Sequence, residues 1–309
     1  MIDILEYVEC LRKDEQIPFP WVIQLEITDI CPFACPQCYK KGQLNKQMDF
    51  TKIVQLLKEC SENGTKLFVL NGGEPLLYYK IIDLIKVINK MSINVNCFTS
   101  GFGLTEEIIE LWNFEKDKLC LSLNGSTEQV NLISREGYEV TISAMKLLKE
   151  KRKRYGVNWV ASSKNICDFK NMLKLCEQMD VSFLFVTCEK ITGEGNAPNI
   201  LSEEQFEFLK QTIMTYQGEI CIYVENCYTK LYNEVKKGVS NQYFAGCFAG
   251  KYGCHIDMEG NYSPCTHIDK MEAWSSINEY WKNSKIIKEL NQNRKDKILQ
   301  MPCIRSKWK

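Results

Sequence analysis

The eight residues CPFACPQC carry three cysteines, Cys31, Cys35 and Cys38, with three and then two residues between them. Thiolates at such short spacing suit soft metals and iron–sulfur clusters. Structural zinc sites and plain iron–sulfur carriers take four protein ligands, whereas a site that acts on a bound molecule keeps one position open. Three cysteines leave that position open, and the turns at Pro32 and Pro36 suit a loop wrapped around a compact metal group. Half of a zinc site is the alternative for this segment on its own. A second group, Cys247, Cys254, Cys265 and Cys303, lies far along the chain.

The chain has 16 cysteines in all. Its N-terminus is interrupted by charges, and no apolar run approaches the roughly 20 residues of a membrane span. A cytoplasmic protein is expected, and there thiols stay reduced, so the two groups read as metal ligands rather than disulfides. Cys60, Cys97, Cys120, Cys167 and Cys176 stand singly on apolar faces and read as small buried hydrophobes.

These residues need a frame. The 309 residues are 45% hydrophobic and 25% charged, ordinary for a globular chain. Lys+Arg and Asp+Glu balance at 39 each, so no net field favours nucleic acid or an anionic membrane. The basic run KEKRKR at 149–154 reads as the solvated end of a helix. VIQLEIT, KLFVL, INVNCFT, KLCLSL, VNWVAS and SFLFVT read as strands. Helical spacing is expected over 50–64, 79–91, 104–114, 138–155, 167–179 and 202–216. Six alternations argue for parallel βαβ units with right-handed crossovers, hence an α/β fold of the partial (β/α)6 TIM-barrel type. EICIYVE reads as a further strand, and the texture changes near residue 243 to Gly, Cys and Tyr. The expected division is a 1–20 N-terminal segment, a 21–242 partial barrel with its core reaching about 196, and a small 243–309 extension.

In such a barrel, functional groups collect on loops after the C-terminal strand ends. The three cysteines follow strand 1, NGGEP (71–75) follows strand 2, TSG (99–101) strand 3, LNGS (123–126) strand 4, SSKN (162–165) strand 5 and CEKITGEG (188–195) strand 6. Together, CPFACPQCY and NGGEP resemble the signatures of radical S-adenosylmethionine (radical SAM) enzymes. The resemblance implies that Cys31, Cys35 and Cys38 hold three irons of a 4Fe–4S cluster, with the fourth iron left for SAM. It implies that Gly72 and Gly73 admit the methionine ammonium to the backbone, with Glu74 oriented near it. Ser100, Ser122 and Asn124 fall where the family places cofactor contacts, and Asn165 matches loosely. Arg135 suits the SAM carboxylate as a planar fork. Gln37 stands where the family often has an aromatic, and Tyr39 is the substitute for the adenine contact.

CFAGKYGCHIDMEGNYSPC (247–265) resembles the opening hairpin of an auxiliary-cluster domain of the SPASM or shorter twitch type. The resemblance implies an auxiliary iron–sulfur cluster on Cys247, Cys265 and Cys303. Cys254, Ser306, Cys227 or a substrate atom are candidates for the fourth ligand, and zinc is the alternative metal. His255 and His267, the only histidines, flank this segment and read as core or surface residues.

The implied activity is reductive SAM cleavage to a 5′-deoxyadenosyl radical, which abstracts hydrogen from a C–H bond of a ribosomally made peptide. A thioether or C–C crosslink, or another modification, results, with the auxiliary cluster assisting. No separate N-terminal peptide-recognition domain is expected, so a leader would need a partner protein or the barrel surface. The electron donor is expected to be flavodoxin or ferredoxin. Alternatives are twitch-type dehydrogenation of an aminosugar-like molecule, a peptide epimerase using Cys188 as hydrogen donor, and a non-enzymatic electron-transfer protein.

Overall fold

The computed structural model describes residues 17–40, 45–190, 199–225 and 247–294, with residues 228, 231 and 235 between them. Cys227, the expected boundary near 243, Cys303 and Ser306 lie outside the described residues.

The strands β1 (Val22–Thr28), β2 (Leu67–Gly72), β3 (Asn94–Thr99), β4 (Lys118–Ser122), β5 (Gly156–Ala161), β6 (Phe183–Cys188) and β7 (Cys221–Val224) pair in chain order, all parallel. Between them run α1 (Phe50–Glu62), α2 (Ile81–Ile88), α3 (Glu106–Leu111), α4 (Glu128–Leu132), α5 (Tyr138–Glu150), α6 (Phe169–Gln178) and α7 (Glu203–Met214). Helix starts follow their caps: Asp49 accepts from Lys52 N, Thr105 from Ile108 N, and Ser202 forms a capping box with Gln205. This is the α/β partial barrel of the sequence reading, with β7 added beyond the sixth strand.

β1 shows how the layers divide. Ile23, Leu25 and Ile27 are fully buried in the core that also holds Ile53, Leu57 and Cys60 of α1. The pleat sends alternate side chains to opposite faces, so Gln24 and Glu26 face the barrel lumen. By the same alternation Asn96 and Phe98 of β3, Ser122 of β4, Asn158 of β5 and Thr187 of β6 line the lumen. Their neighbours Val95, Cys97, Leu121, Trp159 and Val186 join the core.

The C-terminal segment extends this same sheet. β8 (Gly253–Ile256) lies parallel to β1 on its free edge, with Gln24 opposite His255. β9 (Asn261–Ser263) turns back antiparallel to it, and β10 (Glu272–Ala273) follows. The turn between β8 and β9 runs through Gly260, which takes φ +85° and whose N–H donates to Asp257 O at 2.9 Å. Two helices follow, α8 (Ile277–Asn283) and α9 (Lys285–Arg294), separated at Ser284. No helix among the described residues is long and apolar enough to cross a membrane.

Candidate active site and cofactor pocket

The loop of Cys31, Cys35 and Cys38 leaves the C-terminal end of β1. It is tied at both ends. Asp29 N donates to Lys46 O (3.0 Å), Lys46 N to Asp29 Oδ1 (2.6 Å) and Met48 N to Ile27 O (2.9 Å). On the far side, Ala34 N donates to Glu136 Oε2 (2.8 Å), Gln37 N to Ser134 O (3.3 Å) and Glu136 N to Cys35 Sγ (3.4 Å). The segment after α4 therefore braces the thiols, and Phe33 rests where a Cβ on Gly137 would meet its ring at 2.5 Å.

The three thiols share one field. Burial pushes Cys31 up first, and charge on Glu74, Cys35 and Cys38 pushes it further. Cys38 is exposed as a residue, yet its sulfur is raised by the loss of solvent around it and by Cys35, against Arg135 and Lys40. Three mutually repelling thiolates call for cationic iron, which inverts that balance. Among the described residues, no three of His, Cys, Asp and Glu close on a single ion.

Gly72 and Gly73 lie against the stem of this loop. Gly72 has φ +132°, and a Cβ there would sit 2.1 Å from Thr28 O; one on Gly73 would sit 2.4 Å from Ile30 O. Gly73 N and Glu74 N donate to Thr28 O and Ile30 O, each at 2.7 Å. The glycines are thus required by the neighbouring loop, a reason distinct from the expected approach to SAM.

Glu74 is 1% exposed. Its Oε1 accepts from Thr99 Oγ1 and Leu76 N (3.2 Å), and its Oε2 from Ser100 N (2.8 Å) and Ser100 Oγ (2.5 Å). Both oxygens are filled, so Glu74 and Ser100 bracket the strand-2 and strand-3 rims and do not present free groups to SAM. Asn124 is also corrected. It is fully buried, with Nδ2 donating to Ser134 Oγ (3.0 Å) and Oδ1 accepting from Val160 N (3.1 Å). Its carbonyl accepts from Trp159 Nε1 and Asn165 Nδ2. Asn124 and Asn165 therefore knit the ends of β4 and β5 together, leaving Ser122 as the lumen-facing group there.

Arg135 fits an anion. Its Nε is buried without a hydrogen-bond partner, and it lies in the segment that braces the cysteines. Tyr39 differs from the adenine role. Its buried hydroxyl lies beside Glu26 and the Gly72 backbone, and its ring meets His267 edge-on at 5.6 Å.

Cys188 does not face the lumen. It follows Val186 on the helix side and packs against the core, while Thr187 points inward. Cys254 is also a core thiol: fully buried on β8 among Cys60, Glu59 and Tyr280, and pushed well up by burial. Its side chain lies on the core face of β8, opposite Ile23, away from the lumen. Cys167 is exposed, against the buried reading, whereas Cys60, Cys97, Cys120 and Cys176 are buried. Cys247 and Cys265 are half-buried at the base of the hairpin and just past β9, and His267 N donates to Cys265 Sγ at 3.5 Å.

Residues 25–176 match the model of the Radical SAM superfamily. This chain carries a radical SAM domain and is an enzyme. SuiB of Streptococcus suis, in a crystal structure bound to precursor peptide SuiA, superposes with a TM-score of 0.76 at 16% identity, over 93% of this chain and 70% of that one. SuiB bound to S-adenosylmethionine gives 0.74 over 93% and 71%, at 16% identity. Native anSMEcpe with bound AdoMet and Cp18Cys peptide gives 0.65 at 16% identity, over 89% and 82%. At these identities the likeness is one of fold.

The cofactors are a 4Fe–4S cluster and SAM, and the residues present fit them: three thiols on one braced loop and an orphaned Arg135 Nε. When bound, the pair supplies one-electron cleavage of SAM to a carbon radical able to abstract hydrogen. Cys31, Cys35 and Cys38 would hold iron, Arg135 would hold the SAM carboxylate, and Ser122 would face the ribose.

Two functional-looking groups escaped the sequence reading, Glu26 and Lys40. Lys40 Nζ reaches Glu26 Oε2 at 2.7 Å. The signal for Glu26 was present: in VIQLEIT, Gln24, Glu26 and Thr28 alternate with Ile23, Leu25 and Ile27, which is the pattern of a strand with one polar, lumen-facing side.

Proposed function

We propose that this enzyme modifies a peptide, abstracting hydrogen from one of its C–H bonds to form a thioether or C–C crosslink or a related product. The support is the fold, shared over 93% of the chain with a protein whose structure holds a precursor peptide. The lumen agrees with that reading. Asn71, Asn96 and Asn158 line it alongside Gln24, and side-chain amides hydrogen-bond peptide backbone in both senses.

Cys247, Cys265 and Cys303 are proposed to hold an auxiliary iron–sulfur cluster, with the fourth ligand from the substrate or another residue. It would take up the electron left on the product radical. Flavodoxin or ferredoxin is the proposed electron donor, in the cytoplasm.

The test is anaerobic reconstitution with iron and sulfide, then SAM, a reductant and candidate precursor peptides. 5′-Deoxyadenosine and a peptide mass shift are expected together. Cys35→Ala should abolish both, and Cys265→Ala only the mass shift. Peptide turnover surviving Cys265→Ala would refute the auxiliary role.

A further inference from the structure

The two cysteine segments meet at one buried carboxylate. Glu26 is 5% exposed on the lumen face of β1. Its Oε2 receives Lys40 Nζ at 2.7 Å, and its Oε1 lies 3.3 Å from His255 Nε2. Lys40 stands two residues past Cys38, at the exit of the cluster loop. His255 stands on β8, and its Nδ1 lies 3.1 Å from Ser263 Oγ. Ser263 Oγ donates to the carbonyl of Cys265 at 2.8 Å.

Proton counting sets the charges along this chain of contacts. A serine has one proton, and Ser263 gives it to Cys265 O, so its oxygen accepts from His255 Nδ1–H. Nε2 then faces the carboxylate at 3.3 Å, so Glu26 lies between the Lys40 ammonium and the His255 ring. Tyr39 adds a parallel contact, with its hydroxyl beside Glu26 and its ring against His267. Both histidines of the chain thus stand at the seam between residues 39–40 and the hairpin.

Position makes this contact consequential. Backbone pairing of β1 with β8 ends at Leu25 and Ile256. His255 stands inside that ladder, opposite Gln24, and Glu26, one residue past its end on β1, reaches back to the His255 ring and across to Lys40. On the outer side the turn is held by Lys46 and Glu259, a pair 50% and 39% exposed and correspondingly weak. The buried clamp is the stiffer one, because removing one partner leaves uncompensated charge.

We propose that Glu26 is a positioning residue that locks the cluster-loop exit, through Lys40, to the Cys265 end of the hairpin, through His255 and Ser263. It sets the placement of one cysteine segment against the other across the barrel mouth. The proposal rests on the reading of Cys265 as an auxiliary-cluster residue, which the iron content of the reconstituted wild-type chain tests separately.

Hydrogen–deuterium exchange of the full metal-free chain tests the clamp itself. Glu26→Gln should speed exchange about tenfold in both 36–40 and 253–268, with β3 to β5 unchanged. His255→Gln should do the same in 36–40, which His255 reaches through Glu26. In the iron-loaded enzyme, both variants should broaden the electron paramagnetic resonance signal that responds to added SAM, which a general loss of stability would not do. Should Glu26→Gln fail to fold, Ser263→Ala should confine faster exchange to 261–268. Exchange that rises uniformly, stays within 22–28 or does not change would overturn the proposal.

Discussion

Replacing Glu74 by Gln tests whether this buried carboxylate is the bracket between two rims of the barrel. Its oxygens receive Thr99 Oγ1, Leu76 N, Ser100 N and Ser100 Oγ. The two hydroxyl oxygens already accept from Gly101 N and Phe102 N, so each turns its single proton towards Glu74. An acceptor-only carboxylate matches four donors; burial pushes its pKa up, and these donors oppose the rise. Glutamine offers one oxygen, and its NH2 must face one side. The hydroxyls can rotate to accept from it, but a backbone N–H cannot, so Leu76 N or Ser100 N loses its acceptor. An unsatisfied buried N–H costs about 1–3 kcal/mol, and the remaining bonds each lose about 1 kcal/mol of charge assistance. Relief of the carboxylate's own desolvation offsets part of this, leaving about 3 kcal/mol. That should lower the melting temperature of the metal-free chain by roughly 6–10 °C by differential scanning fluorimetry. A shift under about 2 °C would mean that the four donors do not rely on an ionised Glu74, and the bracket argument would fail.

Arg135→Gln should raise the Kd for SAM about tenfold in equilibrium binding to the reconstituted enzyme, with an unchanged melting temperature, because Arg135 Nε has no protein partner to lose. Cys254→Ala should leave the iron content unchanged and cost about 1–2 kcal/mol in urea unfolding, as expected of a core thiol. Cys188→Ala should retain peptide turnover, since its side chain faces the helices; loss of turnover with normal 5′-deoxyadenosine would restore it as a hydrogen donor. Burial pushes Glu26 up, but His255 and Lys40 outweigh it and hold the carboxyl at about 2, against an ordinary 4.5. The folded value is the lower one, so about 3 kcal/mol of stability is in place above pH 4.5 and disappears as pH falls through 2. Urea midpoints of the metal-free chain should therefore fall more steeply between pH 5 and 3 than those of Glu26→Gln.

What could be read in the sequence was what neighbouring residues decide among themselves. The period of VIQLEIT places β1 at Val22–Thr28, the Thr105 cap starts α3, and six alternations fix chain order in a parallel sheet. The cysteine loop is equally local, since all three thiols lie within eight residues of one strand end. Their motif needed no long-range contact to be recognised. The roles that changed were those set by distant partners. Asn124 and Glu74 stand at the expected rim, yet Ser134, Val160, Thr99 and Ser100 use up their polar atoms. Cys188 and Cys254 carry suitable chemistry, but each falls on the helix-facing side of its strand, and a one-residue difference in a pleat of period two reverses the face. Glu26 and His255 are 229 positions apart, and only the parallel docking of β8 on β1 brings them together. Side-chain type and spacing therefore determined which chemistry this chain carries, and strand register decided which of those side chains reach it.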